Sequence, residues 1–297
     1  MANVKTVQRG GSRFYVDQET RVTVPGVTST IGMLPKPFLR FWGQKLVAEA
    51  AVNSFAFLSQ MIATAGEGAA VDYLKGAPNR YTKLRANIGS DAHDMFERMI
   101  RGEGRLTERD AFGQFLVRVH PDMEPYRRGF AEFLDAVNPE LVRAEDIAWS
   151  DIHQYAGSFD AILRVWVIEG PDGKLTIDPT HGPGSHPVLL IVDWKTSKDT
   201  YPDVALQMSA YAHADKLIDS DGNEEPMPEF DGAAVLHITP EQWAFKPVDI
   251  SVEVFDFFLA LRKVFDWDRT KSKTVLGKPL SASQYGKLVT GTQRRGK

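Results

Sequence analysis

The stretch Val188–Lys198, VLLIVDWKTSK, restricts the fold more than any other part of this 297-residue chain. Val188 to Val192 form a short apolar run, rich in β-branched residues and preceded by Pro187, and so read as a buried strand. The strand ends in Asp-Trp-Lys, where an acid and a lysine at a core edge both lose hydration. The two-residue period of a strand puts Asp193 and Lys195 on one face and Trp194 on the other. Taken alone, Asp193 and Lys195 fit a structural ion pair.

The preceding strand-like segment, GSFDAILRVWVIEG, runs from near Phe159 to Glu169. If it pairs antiparallel with Val188–Lys195, its start lies beside the other strand's end, and Asp160 comes next to Asp193 and Lys195. Close carboxylates repel unless something binds between them. Two Asp oxygens and a backbone carbonyl suit Mg²⁺ or Mn²⁺. Such a metal would lower the pKa of its water and polarise a phosphate. The lysine could orient or deprotonate the water, or offset charge on the phosphate. Phosphodiester hydrolysis is the expected chemistry.

Around this pair the chain has a recognisable order. Residues 12–24 read as a hairpin turning at Asp17–Thr20. A helix is expected after Pro37, from Phe38 to about Ala65, and a short one at Ala69–Lys75. The next helix holds IGSDAHDMFERMI, with Ser90 as N-cap, and two more fit 107–119 and 122–137. Then the character changes to β-β-β-α-β-α, with the helices at DVALQMSAYAHADKL and VEVFDFFLALRKVFDW. Pro171–Pro187, rich in Gly, Pro and His, reads as a surface loop or small hairpin.

GSFDAIL, IVDWKTSK and ALQMSAYA, in that order, resemble the RecB-type branch of the PD-(D/E)xK nucleases. That branch pairs Gly-x-x-Asp with Asp-x-Lys-Thr and a helix bearing Gln-x-x-x-Tyr. The matching positions here are Gly157 and Asp160, Asp193 with Lys195 and Thr196, and Gln207 with Tyr211. LRANIGSDAHDMFERMI resembles the branch's upstream helix with a metal-binding His, which gives that role to His93. VPGVTSTIGMLPKPFLRFWGQK is similar to an opening in phage RecB-like exonucleases and in the mitochondrial genome-maintenance exonuclease. The likeness reaches from about Val24 to Ala214.

The resemblance implies an α/β fold with a PD-(D/E)xK, restriction-endonuclease-like core, a mixed central sheet flanked by helices, and a helical N-terminal region. It implies a metal held by His93, Asp160, Asp193 and the carbonyl of Trp194, with Lys195 assisting the nucleophile. Gln207 would hold the geometry, and Tyr211 would contact DNA or the lysine's surroundings. The expected activity is a metal-dependent DNA exonuclease acting on linear, single-stranded ends in a bacterium or phage. The alternatives are an endonuclease with the same site and an inactive DNA-binding or assembly module. The domain expectation is a hairpin and helical region over 1–138, a nuclease core over 139–268 and a basic tail over 269–297.

Composition narrows the chemistry further. The chain has no cysteine, which excludes disulfides, thiolate zinc sites and the cysteine-ligated iron–sulfur cluster of some RecB-like relatives. It has no GxxxxGK[ST] phosphate loop, so any helicase motor or recombination partner would be a separate protein. No apolar run approaches the ~20 residues of a membrane span. The opening residues lack a secretory signal's apolar core, so a cytoplasmic location is the expectation. Net charge is −4, but Arg269–Lys297 carries eight Lys and Arg and no acid.

Several other residues have a plainer reading. Outside the motif set, His93 fits a packed helix histidine, and Gln207 and Tyr211, four apart, fit helix-on-sheet packing. Within the set, Glu97 is the expected partner of His93. Glu145 reads as an exposed strand-entry acid, and His181 and His186 as solvated loop residues. Phe38, Phe41 and Trp42, at helical spacing with Leu39 and Leu46, read as core. Lys36, Arg40, Lys83, Arg85, Thr196, Lys198 and the tail are candidates for phosphate contacts.

Overall fold

The computed structural model describes residues 4–102 and 120–281. The helix expected over 107–119 and residues 282–297 of the basic tail lie outside them. Strands β1 (Val4–Arg9), β2 (Ser12–Asp17) and β3 (Thr23–Pro25) form an antiparallel sheet. The expected hairpin is β2–β3, and its turn is held by Asp17, whose Oδ1 accepts the amides of Glu19 and Thr20. β1 was not expected, because VKTVQR pairs only along an exposed edge and has little apolar signal.

Helices α1 (Val27–Ile31), α2 (Phe38–Asn53), α3 (Phe55–Ala65), α4 (Glu67–Lys75), α5 (Ala77–Ile100) and α6 (Glu124–Val137) follow. The helix expected over 38–65 is two helices, bent by 82° around Ser54. The N-cap expected at Ser90 is not one: α5 starts at Ala77, with Pro78 in its first turn, and runs through Gly89-Ser90. A mid-helix glycine costs ~1 kcal/mol relative to alanine. That is too little to break a helix whose stripe Ala92, Met95, Phe96 and Met99 is buried.

The rest of the chain supplies β4 (Glu140–Ala144), β5 (Ile147–Ser150), β6 (Tyr155–Ser158), β7 (Ala161–Glu169), β8 (Leu175–Ile177) and β9 (His186–Lys195). Then come α7 (Asp203–Ala212), β10 (Lys216–Ile218), β11 (Glu224–Pro226), β12 (Gly232–Ile238), β13 (Trp243–Val248) and α8 (Val252–Arg269). Each of the first two expected strands is split. β5 and β6 leave to join β10 and β11 in a second sheet, while the central sheet runs β13-β12-β9-β7-β4, with β8 on β7. β12 and β9 are parallel and the other pairs antiparallel, so this is a mixed α/β fold with helices on both faces of its sheet.

Alternation along β9 decides which layer each residue meets. Val192 and Trp194 face α5 and α6, in a cluster with Phe96, Phe130, Phe133 and Leu236. Ile191 faces α7, α8 and α1, with Ile162, Met208, Tyr211 and Phe258. Trp194 is edge-on to Phe130, ring centroids 5.3 Å apart, and to Phe133 at 6.2 Å. Such pairs add ~0.5–1.5 kcal/mol each beyond burial, and here they pin the end of β9 that carries the site. Among the described residues, no single helix is long and apolar enough to cross a membrane.

Candidate functional site

Register assembles the site. Ala161 lies opposite Val192 on β9 and opposite Ala144 on β4. The next residue along each strand is therefore Asp160, Asp193 or Glu145, and the three stand in one row across β4, β7 and β9. The antiparallel pairing expected from the sequence is present. Asp160 sits in the break where the chain passes from β6 to β7, next to the fully buried Phe159. Its Oδ2 accepts the backbone N–H of Trp194 at 2.6 Å, which locks the two strand ends together.

His93 arrives from α5, on the border of that helix's buried stripe. Its Nδ1 is 3.2 Å from Asp160 Oδ1. Burial pulls the imidazole pKa down, but the hydrogen bond and charge of Asp160, with Asp193 behind it, outweigh this and leave it raised. Glu97, expected as the partner of His93, instead accepts from Arg101 Nε at 2.8 Å.

Glu145 is the residue that sequence reasoning missed. It is exposed, as expected, but its carboxylate, the His93 imidazole and Asp160 bring one ligand atom each within 4.8 Å of one another. Its backbone is left-handed, φ 61°, a conformation costing ~1–2 kcal/mol for a residue with a Cβ. Two contacts hold it there: its own N–H donates to the Asp160 carbonyl at 3.2 Å, and Arg101 Nη2 donates to the Ala144 carbonyl at 3.0 Å. Although the residue as a whole is exposed, the packing around its carboxyl group, and then the charges of Asp160 and Glu97, push that group up to about 7. The strand register was the signal that could have found it. Pairing Ala144 with Ala161 sets Glu145 beside Asp160.

Asp193, Lys195, Gln207 and Tyr211 form the second half of the site. Asp193, 2% exposed, makes an ion pair with Lys195 through Oδ2. Its Oδ1 accepts from Gln207 Nε2 at 2.8 Å, while Gln207 Oε1 accepts from Lys195 Nζ at 3.4 Å. Gln207 Nε2 also lies 3.2 Å from the Tyr211 hydroxyl. Burial raises the Asp193 pKa to about 6, with Asp160 adding to it and Lys195 opposing. Burial lowers that of Lys195, but Asp193 and Asp160 outweigh it, so the ammonium holds its proton more tightly than usual. Tyr211, fully buried, stays a neutral phenol.

Gly157, in β6, is small for a reason of space. A Cβ there would meet Tyr211 Cε1 at 2.6 Å and Val27 Cβ at 3.1 Å. The glycine lets α7 sit close enough for Gln207 to reach Asp193.

The donor set fits a hard divalent cation: two carboxylates and an imidazole, at a point where like charge already raises a carboxyl pKa. Of the four ligands expected, His93 and Asp160 belong to this group, and Glu145 joins them. Asp193 lies beside it with its oxygens turned to Lys195 and Gln207. Trp194 contributes its backbone N–H to Asp160, and its ring is buried on the far face.

His93 and Lys195 open into a cleft of about 920 Å³ between the β9–α7 loop and helices α2 and α5. Thr196 and Lys198 line it, as do Lys36 and Arg85; Arg40 and Lys83 are exposed outside it. Phe38 and Phe41 are not core residues: they are 51% and 69% exposed, and α2 has no buried residue. α2 packs on α5, α4 and α3, the other helices of an arm off the sheet, and these leave its apolar side without a burying layer. Both loop histidines are exposed, as expected, and His181 also stacks on Trp166 at 3.8 Å and is tied to Asn138. No protein-family model matches this sequence, and no curated protein matches it.

Proposed function

We propose that this chain is a metal-dependent nuclease that hydrolyses DNA phosphodiesters from the ends of linear, unpaired strands. The observation that carries the proposal is the meeting of His93, Glu145 and Asp160, where His93, together with Lys195, also lines a cleft rich in cations. The order of the motifs along the chain supports the same reading.

His93, Glu145 and Asp160 would hold Mg²⁺ or Mn²⁺, with Asp193 behind them, and the ion would supply a Lewis acid and an acidified water. The chain's own residues do the rest. Lys195, ion-paired to Asp193 and 3.4 Å from Gln207 Oε1, would donate to phosphate oxygens and offset their charge. Gln207 fixes the angle of both partners. Tyr211 keeps the Gln207 amide in register from inside the core.

The exonuclease assignment rests on the arm. Helices α2 to α5 are covalently continuous from α1, which packs on α7 and α8, to the part of α5 that packs on α6. A closed circle would have to enter beneath that arm without an end. End-labelled linear and circular DNA, incubated with Mg²⁺, Mn²⁺ or EDTA beside Asp160→Ala and Asp193→Ala, tests this. Metal-dependent loss of linear single strands alone, abolished by either substitution, is expected. Cutting of circles would make the enzyme an endonuclease. No cleavage by folded protein would leave a DNA-binding module.

A further inference from the structure

The cleft wall away from the metal residues carries an arrangement the hydrolytic chemistry does not require. Phe38, at the start of α2, and Tyr201, in the β9–α7 loop, face each other with ring centroids 6.3 Å apart and planes 12° from parallel. Both are about half exposed, 51% and 49%. About half of each side chain therefore stays open to solvent beside that contact. Deeper along the same wall, Trp42 meets Tyr81 edge-on at 5.6 Å. Cations are interleaved with these rings: Lys36, Lys45, Arg85, Lys195 and Lys198 line the cleft against the acids Glu49 and Asp203. Lys36 bridges to Asp203 at 2.6 Å and Lys45 pairs with Glu49 at 3.6 Å, while Arg85 and Lys198 have no such carboxylate among the described residues.

Flat exposed rings beside uncompensated cations match a polyanion that also presents planar faces. Phosphates alone would use the cations but not the rings. A duplex hides its base faces in the stack, so only an unpaired strand offers both. Resting on the nuclease reading for the contents of the site, we propose that Phe38 and Tyr201 are specificity-determining residues. They stack the bases of a single DNA strand, so that the cleft recognises bases and not only backbone. The Lys36–Asp203 bridge next to them ties the start of the arm to the start of α7 and holds the two rings facing each other.

The test is binding without hydrolysis. Fluorescence anisotropy in EDTA compares labelled 12-mer oligo(dT), an abasic strand of the same length and charge, and a 12-bp duplex. Wild type should bind oligo(dT) about ten- to hundredfold more tightly than the abasic strand, given the usual contribution of a base stacked on an aromatic ring. The ratio should collapse toward one in Phe38→Leu/Tyr201→Leu, with the salt dependence of binding retained because the phosphate contacts remain. Both residues are half exposed, so the variant should fold; if its melting curve is lost, Phe38→Leu alone should still lower the ratio. Equal affinity of wild type for base-bearing and abasic strands would overturn the proposal, as would a ratio that survives the substitutions or tighter binding of the duplex. Cleavage with Mn²⁺ is scored separately by Asp160→Asn. A failed nuclease and a failed stacking site are therefore distinct results.

Discussion

Replacing Glu145 by Gln removes a charge that the metal-free fold disfavours and that metal binding needs. The Glu145 carboxyl sits at about 7 in the folded protein against an ordinary 4.5, raised first by the packing around that group and then by Asp160 and Glu97. Below about pH 4.5 it is protonated in folded and unfolded chains alike and costs nothing. Above about pH 7 it is ionised in both, and the folded state bears the whole penalty. The gap corresponds to ~3 kcal/mol at 1.36 kcal/mol per pKa unit. Because the residue is exposed, solvent screening reduces this to ~1 kcal/mol. In EDTA, Glu145→Gln should thus match wild type at pH 4.5 and exceed it by ~1 kcal/mol at pH 8, a rise of ~2 °C in Tm for a chain of this size.

Metal reverses the order. At Mn²⁺ one hundred times the wild-type Kd, wild type gains ~2.7 kcal/mol, whereas a variant weakened tenfold gains ~1.4 kcal/mol. Thermal unfolding followed by circular dichroism at the two pH values, with EDTA and then with Mn²⁺, reads both effects. A variant no more stable than wild type at pH 8 without metal, or a Mn²⁺ gain equal in the two proteins, would refute the assignment of Glu145 to the cation site.

Two further substitutions probe the other half of the site. Gln207→Leu leaves the buried Asp193 carboxylate without its amide donor, and hydrogen bonds to charged groups are worth ~1.5–3 kcal/mol. Tm should fall by ~3–6 °C and DNA hydrolysis at least tenfold; an unchanged Tm would mean the bridge contributes nothing. Gly157→Ala forces a methyl to within 2.6 Å of the Tyr211 ring and should cost ~1–3 kcal/mol in urea unfolding. Gly232→Ala, whose Cβ would meet only Leu190 Cδ2 at 3.5 Å, should cost less, and equal losses would remove the packing explanation for Gly157.

Local pattern was enough for much of this molecule. The apolar run into Asp193-Trp194-Lys195 announced a buried strand with two faces, and Trp194 on one face with Asp193 and Lys195 on the other is what β9 shows. The neighbourhood of Asp160 followed from a single antiparallel pairing. Helical spacing was likewise enough to put Gln207 and Tyr211 on one face of α7. These are short-range consequences of backbone periodicity, written into the sequence within ten or so residues.

Glu145, the exposed Phe38 and Tyr201, and the split of each early strand between two sheets were not open to that reasoning. Each depends on which segment lies alongside which. Glu145 joins His93 and Asp160 only because β4 pairs with β7 in one register, and one residue of slip would turn it away. Phe38 looks like core at helical spacing and is instead a cleft wall, because α2 leaves the sheet and packs on α5, α4 and α3. Periodicity names the apolar side of an element. Whether that side meets a layer, a neighbouring helix or water is settled by long-range packing, where the competing arrangements differ by contacts that no local pattern records.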